Sequence, residues 1–159
     1  MCSIYGKSLY LTLLHATQIS RAIGANKYAK YVQLTIKHAL ILCKKLNDRT
    51  LTNANIRNSI KNISQVMKIP YGQAQKGINV ILKYCFFICH PDDHVGLELD
   101  CPIDSKILGY IGYRNLKLIR INEKKYIEIQ KIIERRITRR IDFDRQWDEE
   151  RLNKYRISF

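Results

Sequence analysis

The stretch GQAQKGINVIL, residues 72–82, decides how this chain folds. Its first half is polar and contains two glycines around one lysine, whereas its second half is apolar. Pro70 and Gly72 predict a tight turn over residues 69–72, and the apolar residues that follow predict a helix over about 75–89. Lys76 is therefore expected just past a glycine-containing turn, at the start of an apolar helix.

Apolar residues recur at three- and four-residue steps on both sides of this stretch, which is the period of a buried helix face. Thr52 or Asn53 is placed to cap one helix, Pro102 suits the first position of another, and Asn122 is placed to cap the last long one. Residues 116–121 alternate weakly, as in a strand, and residues 90–100 are polar and predict a loop. The predicted helices cover residues 9–23, 28–46, 53–66, 75–89, 102–113 and 122–137, and the charged tail 142–159 is also expected to be helical.

This pattern predicts an all-α, compact domain of about six to seven helices. The 159 residues suit one core, and no repeat, low-complexity tract or linker divides residues 1–159. We expect the candidate site within residues 69–114 and charged helices over residues 122–159.

The formal charge of +14 is distributed unevenly along the chain. Residues 1–91 contain thirteen Lys and Arg but only one acidic residue, Asp48. A surface of this kind attracts phosphate backbones, so nucleic acid is the expected partner, with double-stranded DNA favoured. An anionic membrane surface and a merely solvated surface are the alternatives.

No apolar run is long enough to cross a bilayer, and residues 1–18 lack the arrangement of a secretory signal. The five cysteines are an odd number, which argues against a disulfide framework. We therefore expect an intracellular protein with no membrane segment.

Two side chains suggest chemistry. A glycine turn at the start of a helix exposes backbone N–H groups, which can bind one phosphate. An amine such as that of Lys76 can attack the anomeric carbon of a deoxyribose and form an imine. A carboxylate such as Asp104, in the segment CPIDS (101–105), can then stabilise positive charge or assist proton transfer. The plainer interpretations are an ordinary helix corner, a solvated lysine and a first-turn carboxylate favoured by the helix dipole.

The same residues carry a family resemblance. GQAQKGINVIL resembles the hairpin signature of the helix-hairpin-helix DNA glycosylases, and CPIDS resembles the segment that supplies their catalytic aspartate. The gap between the two motifs is most similar to the archaeal 8-oxoguanine glycosylase branch. The similarity covers about residues 69–113, with Ala74 where a second hairpin glycine is usual and Gly77-Ile78 where Thr-Ala is usual.

By this resemblance the fold contains a helix-hairpin-helix, Lys76 is the Schiff-base nucleophile and Asp104 is the catalytic carboxylate. The target nucleotide would rotate out of the duplex. The expected nucleic-acid contacts are Gly72, Gln73, Ala74 and Gln75 in the hairpin, together with Lys68 and Arg114.

Two functions follow from these residues. The first is a DNA glycosylase or abasic-site lyase, and the second is a non-catalytic DNA- or RNA-binding protein on the same scaffold. A helical interaction protein is a third possibility. The base or lesion and the oligomeric state are left open by the sequence.

A second cluster raises the question of a metal. Cys85, Cys89, His94 and Cys101 are residue types that bind zinc, but their spacing matches no familiar zinc module, and cysteines on an apolar helix are usually core. We expect neither a metal nor a cofactor.

Overall fold

The computed structural model describes residues 6–89 and 94–145, together with residue 149. This part of the chain is helical and contains no strand, so the predicted all-α class is confirmed. Single turns of 3-10 helix lie at His94–Glu98, Leu118–Arg120 and Arg140–Asp142. The α-helices are α1 (Gly6–Ala16), α2 (Ile19–Ile23), α3 (Ala25–Asn47), α4 (Asn53–Met67), α5 (Tyr71–Cys89), α6 (Ser105–Tyr110) and α7 (Glu123–Glu134).

Two helix starts follow the predicted capping residues. The Thr52 hydroxyl accepts a hydrogen bond from the Asn55 N–H, and the Asn55 side chain accepts one from the Thr52 N–H, which makes a reciprocal capping box. The Asn122 side chain accepts from the Lys125 N–H at 2.9 Å. Both side chains satisfy N–H groups that a helix start otherwise leaves without partners.

Other predicted boundaries were wrong. The single helix expected over residues 9–23 is broken into α1 and α2, because Gln18 adopts φ 52° and the Thr17 hydroxyl donates to the Leu14 carbonyl at 2.6 Å. The helix expected from Pro102 begins at Ser105, since Asp104 is its N-cap.

The strand predicted over residues 116–121 is a 3-10 turn, closed by local bonds from Arg120 N–H to Lys117 O and from Ile121 N–H to Leu118 O. No strand in the described part of the chain is there to pair with it. Helix α7 ends at Glu134, before the predicted Ile137, and the predicted tail helix lies largely outside the described residues.

Helix α5 lies at the centre of the core and contacts α1, α2, α3, α4, α7 and the 3-10 turn at 118–120. Because neighbours surround it, its first four turns are buried on nearly every side. Within the described residues, no helix combines the length and apolar content needed to cross a membrane.

Two glycines allow this close packing. A Cβ on Gly72 would overlap the Leu118 carbonyl oxygen and lie 2.7 Å from Cβ of Ile121. A Cβ on Gly77 would lie 2.5 Å from the Tyr31 hydroxyl, to which the Gly77 N–H donates at 3.2 Å. Burial raises the pKa of Tyr31 to about 12, so this hydroxyl stays protonated and donates to the Ala74 carbonyl.

We predict that Gly72→Ala lowers the free energy of unfolding by about 1–3 kcal/mol, because the added methyl group meets backbone that cannot easily move. The matched control is Gly109→Ala in α6, where a Cβ would meet nothing within 4 Å. That change should be neutral or stabilise by up to about 1 kcal/mol. Urea denaturation of both variants checks this, and equal stability of the two would contradict the packing argument.

Candidate functional site

The first turn of α5 lies where the sequence predicted a phosphate-binding turn. The helix begins at Tyr71 and not near Gln75, so Gly72 is helical rather than in a left-handed turn. Its N–H donates to the Ile121 carbonyl at 2.9 Å, and the Gln73 and Ala74 N–H groups donate to the Pro70 carbonyl. These three N–H groups are therefore already bonded within the protein and are not available to a phosphate in this structure.

The connection between α4 and α5 consists of residues 68–70. Lys68 adopts φ 51° and ends α4, while the Ile69 N–H donates to the Ser64 carbonyl at 3.1 Å. The left-handed residue of this connection is Lys68, an arrangement typical of helix C-termini. The Lys68 side chain is exposed at this corner.

Gln75, expected at a phosphate, is fully buried and holds another segment of the chain. Its Nε2 donates to the Ile103 carbonyl at 2.7 Å, and its Oε1 accepts from the Ile103 N–H at 3.2 Å. One amide side chain therefore satisfies both backbone groups of Ile103, the residue that precedes Asp104.

A second amide repeats this arrangement two residues earlier. Gln130 of α7 donates to the Cys101 carbonyl at 2.7 Å and accepts from the Cys101 N–H at 3.0 Å. Buried polar backbone is tolerated only with such partners. The segment leading to Asp104 is thus fixed from α5 on one side and from α7 on the other.

Asp100 anchors the start of the same segment. Its side chain is completely buried and pairs with Arg57 at 3.2 Å and with Arg140 at 2.9 Å. The Tyr126 hydroxyl donates to the same carboxylate at 3.1 Å, and burial raises the pKa of Tyr126 well above its ordinary value, so the donor proton stays in place. Two guanidinium groups and a hydroxyl compensate the desolvated charge of Asp100.

Asp104 caps α6. Its Oδ1 accepts from the N–H groups of Lys106 and Ile107, each at 2.9 Å. The carboxylate is half-buried and faces a cavity of about 670 Å³. This capping role agrees with the interpretation of Asp104 as a carboxylate that stabilises the start of a helix. The other carboxylate oxygen, Oδ2, takes no part in the cap and is left for other contacts.

We call this cavity the basic cleft. Four parts of the chain form its walls: the α1–α2 corner, the first turns of α5, the start of α6, and residues 114–119. The charged side chains that line it are Arg21, Lys76, Asp104, Lys106, Arg114 and Lys117.

The structure brings several of the sequence-predicted site residues to the basic cleft. Lys76 and Asp104 both line it, as do Arg114 and the side chain of Gln73. The half-buried Lys76 donates from Nζ to the Thr17 carbonyl at 2.9 Å, and Gln73 donates to the Ala22 carbonyl at 3.1 Å. Gly72, Ala74 and Gln75 are buried in the core instead.

Charges are distributed so that the basic cleft is strongly positive. The described residues that line it include five cations and one carboxylate. Most of the other described carboxylates pair with cations away from it. Of the described residues, Arg21, Arg114 and Lys117 form no ion pair with a carboxylate. The ion pairs elsewhere include Lys61–Glu123, Lys83–Asp144, Lys125–Glu128, Arg139–Asp142 and Arg140–Glu134.

The cysteines of the candidate metal cluster differ in burial. Cys85 is buried with its Sγ 3.4 Å from Sγ of Cys43, Cys101 is also buried, and Cys89 is exposed. Among the described residues, no group of three His, Cys, Asp or Glu side chains is arranged to hold a metal ion.

Sequence reasoning missed Arg21, Lys106 and Lys117 as members of the cleft. Lys106 lies close to Asp104 in the sequence, as does the correctly predicted Arg114, and this proximity could have indicated that Lys106 belongs to the site. Arg21 and Lys117 are 96 residues apart, and only the packing of the α1–α2 corner against residues 114–119 brings them to one cavity.

Comparisons with known proteins do not extend this picture. No family model matches the chain, and neither a curated protein nor a solved structure matches it.

We predict that Asp104→Ala destabilises the protein by about 1 kcal/mol, because two N–H groups at the start of α6 lose their acceptor. Asp104→Asn should retain most of this stability, since its amide oxygen still accepts. Amide hydrogen exchange at Lys106 and Ile107 checks the mechanism: both should exchange faster in the alanine variant only. Ser105→Ala is the control, and fast exchange in that variant too would mean that the cap is not the cause.

Proposed function

We propose that this protein binds nucleic acid through the basic cleft. The observation that carries the proposal is the convergence of five cations on one concave surface, whose described lining residues include a single carboxylate. Phosphate groups are the ligand chemistry suited to such a surface, because each one neutralised by Lys or Arg releases condensed counterions. In this proposal side chains hold the phosphates, and the buried N–H groups of residues 72–74 do not.

Two further features support a polyanion rather than a single small anion. The cations come from four separate parts of the chain and line an extended cavity of about 670 Å³. The whole chain carries a charge of +14, which attracts a long polyanion from a distance. The cations lie on a concave surface, which favours binding of a nucleic-acid strand. A membrane surface would be contacted better by a flat or convex basic face.

We predict that the double variant Arg114→Glu/Lys117→Glu weakens nucleic-acid binding at least about tenfold and reduces the slope of log Kd against log salt by about 1–2. The matched control is Lys37→Glu/Lys44→Glu, which makes the same charge change on the exposed side of α3. Fluorescence anisotropy with duplex and single-stranded oligonucleotides provides the measurement.

The control decides between a site and a diffuse attraction. If both double variants lose affinity equally, binding depends on net charge alone and the cleft is not the site. If wild-type protein binds neither oligonucleotide at low salt, the proposed function is wrong.

We propose imine chemistry at the same cleft as the second candidate, favoured by the presence of Lys76 and Asp104 on its wall. The Lys76 amine would attack C1′ of an abasic deoxyribose, and loss of water from the adduct would give the imine. Asp104 would stabilise the positive charge that develops at the sugar. With an intact nucleotide, the base would leave in place of water.

We predict that, for this second candidate, borohydride traps a covalent adduct between wild-type protein and a duplex containing an abasic site. Lys76→Ala should abolish the adduct, because reduction captures only an imine formed on that amine. Lys76→Arg should also abolish it while retaining binding, since guanidinium stays protonated.

Lys106→Ala, which removes a second lysine of the same cleft, is the matched control, assayed at protein concentrations that saturate the duplex so that weaker binding does not lower the adduct yield. An adduct that survives in Lys76→Ala, or one lost equally in Lys106→Ala, would contradict the assignment of Lys76. No adduct with wild-type protein that binds the duplex would leave binding as the function.

A further inference from the structure

We propose that the ligand of the basic cleft is an unpaired nucleic-acid strand, one base of which stacks on the ring of Tyr110. This inference rests on the proposed nucleic-acid binding and specifies its substrate class. It comes from a second cavity beside the cleft and from the different environments of two neighbouring tyrosines.

The second cavity adjoins the basic cleft. It has a volume of about 520 Å³ and is lined by Lys106, Gly109, Tyr110 and Arg114. Lys106 and Arg114 also line the basic cleft, so the two cavities are neighbours that share these cations. A strand whose phosphates contact the shared cations therefore has an aromatic ring within reach of its bases.

Tyr110 and Tyr113 differ in accessibility. Tyr113 donates its hydroxyl to Glu128 at 2.9 Å, and Nζ of Lys125 lies 4.4 Å from the centre of its ring. Tyr110 remains 46% exposed on the wall of the second cavity. Its backbone carbonyl accepts from Arg136 at 3.1 Å, which anchors the backbone at the end of α6. Because Tyr110 is exposed and Tyr113 is half-buried, Tyr110 is the ring of the two that we assign to the ligand.

The wall of this cavity next to Tyr110 carries no side chain at residue 109. Gly109 lines the cavity, and among the described residues nothing lies within 4 Å of a Cβ built on it. Lys106 and Arg114 line the same space. An aromatic ring next to cations is the arrangement by which single-stranded nucleic acids are bound, with bases on the ring and phosphates at the cations.

This arrangement favours an unpaired strand over an intact duplex. In a duplex both faces of each base are covered by neighbouring bases, whereas in a single strand they can be splayed onto a side chain.

The test compares three labelled ligands of equal length, oligo-dT, oligo-U and a DNA duplex, by fluorescence anisotropy at constant salt. Tyr110→Ala should weaken binding to the single strands by about 5- to 100-fold, because stacking on the ring is lost, and should change duplex binding little. Tyr110→Trp should retain or improve single-strand affinity. The salt dependence should stay unchanged, because no charge is removed.

Tyr84→Ala is the matched control, since Tyr84 is 44% exposed on α5 and lines neither cavity. Its affinities should equal those of the wild type, and circular dichroism of each variant shows that the fold is retained. The dT and U arms distinguish DNA from RNA as the source of the strand.

The outcomes separate this inference from the proposed function. Equal affinity of wild-type protein for single strand and duplex, or equal losses of both in Tyr110→Ala, would overturn the inference and leave cleft binding intact. Absence of binding to all three ligands would overturn both. Single-strand preference that is lost in Tyr110→Ala and kept in Tyr110→Trp and Tyr84→Ala supports the stacking site.

Discussion

The burial of α5 on nearly every side is the constraint on which the rest of this structure depends. A helix in this position must give each of its polar groups a partner inside the protein, because water cannot supply one. Gln75 meets this requirement by bonding both backbone groups of Ile103, and Gly72 meets it by donating to Ile121. These bonds fix the segments before α6 and before α7 against the central helix.

The walls of the basic cleft follow from those bonds. Because Gln75 and Gln130 hold the backbone of residues 101–103, Asp104 emerges at a defined place and caps α6 there. Because Ile121 packs on the first turn of α5, residues 114–119 pass close to Lys76. Lys76 and Asp104, which are 28 residues apart, thus line one cavity. The contacts that bring them there are made by the backbone of other residues.

Much of the secondary structure could be predicted from local sequence. The apolar period gave α3, α4 and the larger part of α5, and Thr52 and Asn122 were assigned correctly as capping residues. The errors have two causes. At Gly72 tertiary contact overrode the local preference for a turn, whereas at Pro102 and residues 116–121 other local bonds, the Asp104 cap and a 3-10 turn, replaced the predicted helix start and strand. Gly72 looked like a turn residue, yet it is a glycine because Leu118 and Ile121 leave no room for a side chain.

By itself the sequence determined that the chain is all-α, which helices carry apolar faces, and that its first 91 residues are strongly basic. These are properties of neighbouring residues and of composition, so they need no knowledge of distant contacts. Only the tertiary structure decided which N–H groups of the 72–75 motif are buried and which cations face one cavity. Ile121, which accepts from the Gly72 N–H, is 49 residues away in the chain, and Arg21 and Lys117 of the cleft are 96 residues apart, so only packing around α5 brings them together.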